Sequence, residues 1–147
     1  MDTYTLYFDG SCGPKNPGGT AAYGFVLLKN GEEKPIETGH GVIGTGEGMT
    51  NNRAEFAGLY EGMACFCKHR DGSPTTLQVF GDSNLVIQVM NKHWKPRKDK
   101  AYYSTFEMCD GLLREIRRTG AFVTFDCVPR EKNTICDDLS KAHQKKV

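Results

Sequence analysis

Leu6-Tyr7-Phe8-Asp9-Gly10-Ser11 sets a carboxylate at the end of an apolar run. Side chains alternate along an extended strand. Tyr4, Leu6 and Phe8 therefore share one face, and Thr3, Thr5, Tyr7 and Asp9 the other. Gly10 is expected to break the strand, and a Gly/Pro-rich loop follows over 12–20. An acid on such a strand is costly without a neutralising partner. Asp-Gly also favours turns, so Asp9 as a turn cap is the competing reading, and on this segment alone the stronger one. The choice rests on whether the chain brings other carboxylates to the same place.

Onward from residue 9, 21–29 reads as a second strand and Asn30-Gly31 as a hairpin turn. A third strand falls within 34–43, and 44–49 is a glycine-rich loop. Thr50, Asn51 and Asn52 are all suitable helix caps, and Asn52-x-x-Glu55 has the form of a capping box. Phe56, Leu59, Met63 and Phe66 recur at helical spacing, and Asp71-Gly72-Ser73-Pro74 stops that helix. A fourth strand over 75–80 ends at Gly81-Asp82-Ser83, where Asp82 or Ser83 caps a short helix. A basic segment with Pro96 leads to a helix over 102–118, closed by Gly120. A fifth strand over 121–128 and a last helix from near Asn133 through Ala142 follow, with a frayed tail over 144–147. Strand–helix–strand crossovers make the first, fourth and fifth strands parallel, in an α/β sheet whose first three strands are antiparallel.

A chain of 147 residues, 38% hydrophobic and 25% charged, fits one globular domain spanning 1–147. The longest apolar-rich run, 21–28, is far too short to span a membrane, and Met1-Asp2-Thr3-Tyr4 carries no signal pattern. A cytoplasmic monomer with no membrane partner is expected. None of the six cysteines form Cys-x-x-Cys, so they read as reduced, small apolar residues. The net charge of +1 conceals net −3 over residues 1–60 and net +4 over 61–147. Five of the basic residues lie between Lys92 and Lys100. A polyanionic partner suits that asymmetry without being required by it.

In sheets of this kind the site lies beyond the carboxyl ends of the parallel strands. Asp9 ends the first strand and Asp82 the fourth. Glu55 lies at the start of the helix packed on that sheet, and Asp137 early in the final helix. Four carboxylates in one place do not all stay ionised without cations, and hard oxygen ligands suit Mg²⁺ or Mn²⁺. Each acid also has a local alternative. Glu55 completes a capping box, Asp82 is an N-cap, and Asp137 or Asp138 favours a helix N-terminus. Their coincidence at one sheet edge is what the local readings leave unexplained.

Four spaced motifs resemble the type 1 ribonucleases H over nearly the whole chain. They are Tyr7-Phe8-Asp9-Gly10-Ser11 with Asn16-Pro17-Gly18-Gly19, Thr50-Asn51-Asn52-Arg53-Ala54-Glu55, Gly81-Asp82-Ser83, and Asn133-x-x-Cys136-Asp137-x-Leu139. The resemblance implies a ribonuclease H-like, five-stranded mixed sheet flanked by helices. It implies hydrolysis of the RNA strand of RNA–DNA hybrids, leaving 5′-phosphate and 3′-hydroxyl ends. It makes Asp9, Glu55, Asp82 and Asp137 the catalytic acids, holding two Mg²⁺ ions (Mn²⁺ as substitute) bridged by Asp9. Asp137 is preferred to Asp138 because it stands four residues after Asn133.

Telling RNA from DNA means reading 2′-hydroxyls, which amides do because they both donate and accept. By the same resemblance Asn51, Asn52 and Gln88 contact the hybrid, with Cys12, Asn16 and Asn84 beside the groove. Helix capping is the alternative for Asn51 and Asn52. Within Lys92-His93-Trp94-Lys95-Pro96-Arg97-Lys98, Trp94 and Lys95 suit a channel for the DNA strand. A solvated loop anchored to the core by Trp94 is the equal alternative.

The chain departs from the family pattern before the last helix. Many members carry a histidine there, whereas 129–133 reads Pro-Arg-Glu-Lys-Asn. Arg130, seven residues before Asp137, is the candidate in its place. An amino-terminal hybrid-binding module, found in some members, is not expected before the first strand, and low processivity is expected with it. Competing functional readings are the nuclease portion of a retroelement polymerase, a nuclease-inactive hybrid-binding module, and a DNA-directed resolvase or transposase core. The start at Met1 favours a free-standing enzyme over the first, the four acids speak against the second, and the Thr-Asn-Asn-Arg-x-Glu helix start against the third.

Overall fold

The computed structural model describes residues 2–145 apart from Ser73. The elements run β1 (Asp2–Gly13), β2 (Thr20–Lys29), β3 (Glu37–Thr45), α1 (Asn51–His69), β4 (Thr75–Gly81), α2 (Asn84–Met90), α3 (Tyr103–Arg118), β5 (Phe122–Cys127) and α4 (Thr134–Ser140). One-turn 3₁₀ segments, Arg130–Lys132 and Ala142–Lys145, flank α4. The sheet order is β3-β2-β1-β4-β5, with β1, β2 and β3 antiparallel and β1, β4 and β5 parallel. No helix among the described residues is long and apolar enough to cross a membrane.

The alternation expected along β1 holds. Tyr4, Leu6 and Phe8 enter the main core beneath α1 and α3, where Phe56, Leu59, Met63 and Phe66 form the fully buried stripe of α1. The other face of β1 and β2 is covered by α4. Gly24 lies opposite Asp9 in the β1–β2 register, and a Cβ there would sit 2.7 Å from the Cys136 carbonyl. The missing side chain is what lets α4 settle over Asp9.

Several boundaries differ from the sequence reading. Gly10 does not break β1, which continues through Gly13 paired to β2, while pairing to β4 stops at Phe8↔Gly81. Gly10 is required for another reason: a Cβ there would collide with the backbone of Ala54 and Glu55. The hairpin turn at Asn30-Gly31 exists, with Gly31 at φ +94°, but it opens a longer connection that closes through Ile36 N–H to the Leu27 carbonyl. β3 therefore starts later than expected and runs on to Thr45. The last helix stops at Ser140, and residues through 145 form a 3₁₀ turn where fraying was expected. Lys146 and Val147, the end of that expected tail, lie outside the described residues, as does Ser73 of the predicted helix stop.

Candidate active site

β1 outruns β4, and Asp9 is the first residue past the end of their ladder. Its side chain is 4% exposed, and its Oδ1 accepts a 2.9 Å hydrogen bond from Gly10 N–H. Asp82 follows the last residue of β4 and is half-buried. Glu55 comes from the second turn of α1 and is 5% exposed.

The local alternatives for two of these acids fall away. Thr50 caps α1 by accepting from Arg53 N–H, so the capping box at Asn52 does not form and Glu55 is free of that duty. Ser83 caps α2 by accepting from Val86 N–H, which releases Asp82.

One carboxylate oxygen from each of Asp9, Glu55 and Asp82 lies within 4.8 Å of the others. Burial first, then the charges of Asp82 and Asp137, push Asp9 up to about 6, against the pull of its hydrogen bonds with Glu55 and Gly10. Burial, and after it Asp9 and Asp82, raise Glu55 well above the usual carboxylate range. Burial, with these carboxylates beyond it, also pushes the Cys136 thiol up. Glu55 Oε2 and Asp82 Oδ2 are buried with no hydrogen-bond partner. Orphaned acceptors among crowded carboxylates are costly. A hard divalent cation satisfies both conditions, and the all-oxygen donor set fits Mg²⁺ or Mn²⁺.

Asp137 stands outside the three-acid cluster. It is half-exposed at the start of α4, 3.2 Å from Lys141 Nζ, although its charge is felt at Asp9. Two side-chain bonds fix α4 beside Asp9. Asn133 Nδ2 donates to the Phe8 carbonyl at 2.8 Å, and Ser11 Oγ donates to the Ser140 carbonyl at 2.9 Å. These fastening roles of Asn133 and Ser11 went unread in the sequence, although both residues lie in the spaced motifs. Arg130 is exposed on its turn, with no ion pair among the described residues.

The expected substrate residues fall into two groups. Asn16, Asn51, Asn52, Trp94 and Lys95 line one groove, with Arg97, Lys100 and Tyr102. Trp94 is 47% exposed there, so it does not anchor the loop to the core. Asn16 and Asn51 clasp each other, Asn16 Nδ2 donating to Asn51 Oδ1 at 2.8 Å and Asn51 N–H to Asn16 Oδ1 at 3.1 Å. Cys12 donates to the carbonyls of Lys15 and Met49, which makes it a brace of that loop. Gln88 and Asn84 form the second group on α2, joined by a 3.3 Å hydrogen bond, with His93 Nδ1 2.8 Å from Gln88 Oε1. Lys92 does not face the groove. Its ammonium pairs with Asp110 at 2.7 Å, and Arg114 holds the other oxygen of the same carboxylate.

The RNase H family model matches residues 1–144. A ribonuclease H from Thermoanaerobacter sp. (strain X514) is 33% identical over 101 residues, which are 68% of this chain and 56% of that protein. The bifunctional protein Rv2228c of Mycobacterium tuberculosis is 30% identical over 125 residues, 85% of this chain but 31% of its own length. The chain thus spans about half, or less, of these curated relatives. Among solved structures, the N-terminal RNase H domain of that mycobacterial protein superposes with TM-score 0.81 at 25% identity, covering 97% of this chain and 93% of that one. RNase H1 from Halobacterium salinarum NRC-1 gives 0.79 at 25% identity, covering 98% and 99%. LC11-RNase H1, solved in complex with an RNA/DNA hybrid, shares the fold with TM-score 0.78 at 23% identity, covering 92% of each chain. The four motifs, the sheet order and these matches agree: the chain belongs to the RNase H family.

Proposed function

We propose that this chain is a divalent-metal-dependent endonuclease that hydrolyses the RNA strand of RNA–DNA hybrids, leaving 5′-phosphate and 3′-hydroxyl ends. The observation that carries the reading is the buried Asp9–Glu55–Asp82 cluster with two unpartnered oxygens, near a groove lined by amides, Trp94 and Lys95. Asp9, Glu55 and Asp82 would hold Mg²⁺, with Asp137 joining from α4 once it lets go of Lys141. A pair of such ions supplies an activated water and neutralises charge on the leaving oxygen of an in-line displacement. Asp9, on a central strand, keeps its place without reorganisation. Water is the nucleophile in such a displacement, so no protein nucleophile is needed.

Recognition falls to the amides. Asn51, Asn52 and Gln88 would read 2′-hydroxyls across the minor groove. Trp94 would pack on a sugar of the DNA strand and Lys95 would hold its phosphate. Arg130, exposed just before α4, would assist proton transfer or product release in place of the family's histidine.

Labelled RNA–DNA hybrid, double-stranded RNA and double-stranded DNA incubated with Mg²⁺, Mn²⁺ or EDTA test the reading. Metal-dependent cutting of the hybrid's RNA alone is expected. No cutting, or an unchanged rate in Asp9→Asn, overturns it. If Arg130→Ala leaves the rate unchanged under every metal and pH condition, its assignment is wrong.

A further inference from the structure

Cys65 and His69 stand four residues apart on α1, so they share one face of that helix. Glu37, the first residue of β3, meets them from the sheet. The Cys65 sulfur, a His69 ring nitrogen and a Glu37 carboxylate oxygen all lie within 4.8 Å of one another, and His69 Nε2 is 2.8 Å from Glu37 Oε1. Cys65 follows Glu55 by ten residues, which separates the two sites by roughly 15 Å along the helix axis. The donor set differs in kind as well as place. Sulfur, nitrogen and oxygen together suit Zn²⁺, whereas Mg²⁺ takes oxygen alone.

We propose that Glu37, Cys65 and His69 form a second metal site, for an ion of the Zn²⁺ class, that clips edge strand β3 to the last turns of α1. A concavity bordered by Phe25, Glu37, Glu61, Ala64, Cys65 and Lys68 opens onto the carboxylate and the thiol, providing a way in and room for water as fourth ligand. Lys68 Nζ lies 2.8 Å from the same Glu37 oxygen and is the internal competitor. Its side chain is well exposed, so it swings into solvent when an ion arrives. A purely ionic reading of the cluster accounts for Lys68 and His69. The Cys65 thiol, only 6% exposed, hydrogen-bonds to that carboxylate as well, which sets sulfur beside the nitrogen and oxygen donors. β3 has a free edge, and holding such a strand to a helix is a recognised need of open sheets.

Co²⁺ serves as the spectroscopic probe, added to wild-type and Asp9→Asn protein with Mg²⁺ in large excess to occupy oxygen-only sites. One equivalent should give a thiolate-to-cobalt charge-transfer band in both proteins, displaced by one equivalent of Zn²⁺. The band should vanish in Cys65→Ser and persist in Cys67→Ser. His69→Gln and Glu37→Gln, altered at solvent-accessible positions that do not threaten folding, should each weaken binding about tenfold or more, the scale of losing a ligand or its support. No band in Asp9→Asn protein, a band that survives Cys65→Ser, or unchanged affinity in His69→Gln overturns the proposal. His69→Gln should cut hybrid at the wild-type rate in Mg²⁺, which separates this site from the nuclease reading.

Discussion

Asp9 and Glu55 are buried, adjacent and acidic, so without a cation they hold a proton that the unfolded chain would release. A carboxyl raised in the folded state favours folding at low pH, and that advantage fades as pH climbs from about 4 towards 6. The melting temperature of EDTA-treated protein should therefore rise as pH is lowered from 7 to 5, where few other carboxylates titrate. Saturating Mg²⁺ should flatten that rise, and Asp9→Asn should lessen it, leaving the part that comes from the burial of Glu55. At pH 7 the same substitution should stabilise the metal-free chain by up to ~3 kcal/mol, about two pKa units. It should also lower Mg²⁺-dependent cleavage by at least ~10²-fold. At pH below about 4.5 a different carboxylate takes over. Hydrogen bonds from His69 and then Lys68 hold Glu37 down to about 2, so its contribution is lost as pH falls through that range, and a Glu37→Gln comparison of acid unfolding checks it. The acids themselves were legible in the sequence because each sits where an element ends or begins. Their protonation was not, because it depends on burial that only packing creates.

α4 is seven residues long, and much of its placement rests on Asn133 and Ser140 at its ends. Asn133→Ala removes the buried hydrogen bond that ties the start of α4 to the Phe8 carbonyl and should cost about 1–3 kcal/mol. In a chain of this size that is a fall in Tm of about 2–10 °C. Cleavage should fall with it, whereas Asp137→Asn should reduce cleavage with little change in Tm. Paired melting and rate measurements on the two variants separate them. Element identity was readable from periodicity throughout. Element ends were not. Gly10 looks like a breaker in sequence, yet the strand passes through it because α1 presses against its bare Cα. Thr50, Asn51 and Asn52 are equally good caps on paper, and the choice of Thr50 follows from Asn51 being committed to Asn16.

At the scale of the molecule, charge is partitioned between structure and surface. Lys92 is spent on Asp110. Burial alone would raise that carboxyl, but hydrogen bonds from Lys92 and Arg114 hold it below its ordinary value. Lys95 borders the groove and has no such partner among the described residues. Binding of a hybrid to Asp9→Asn protein, followed by anisotropy across KCl concentrations, should lose about 0.9 from its logarithmic salt slope in Lys95→Ala. Lys92→Ala should leave the slope as it was. Composition placed all five basic residues in one segment and had no means of sorting them, because Asp110 lies 18 residues away in sequence. The sheet order, by contrast, followed from the order of strands and crossovers. That order has a consequence during synthesis. Asn133 reaches back 125 residues to Phe8, and Ser140 reaches back 129 to Ser11. At about 5–20 residues per second, roughly 6–25 s separate translation of Asp9 from translation of the helix that covers it. A ribosome-bound chain halted before residue 133 would carry Asp9, Glu55 and Asp82 with no α4 to cover them.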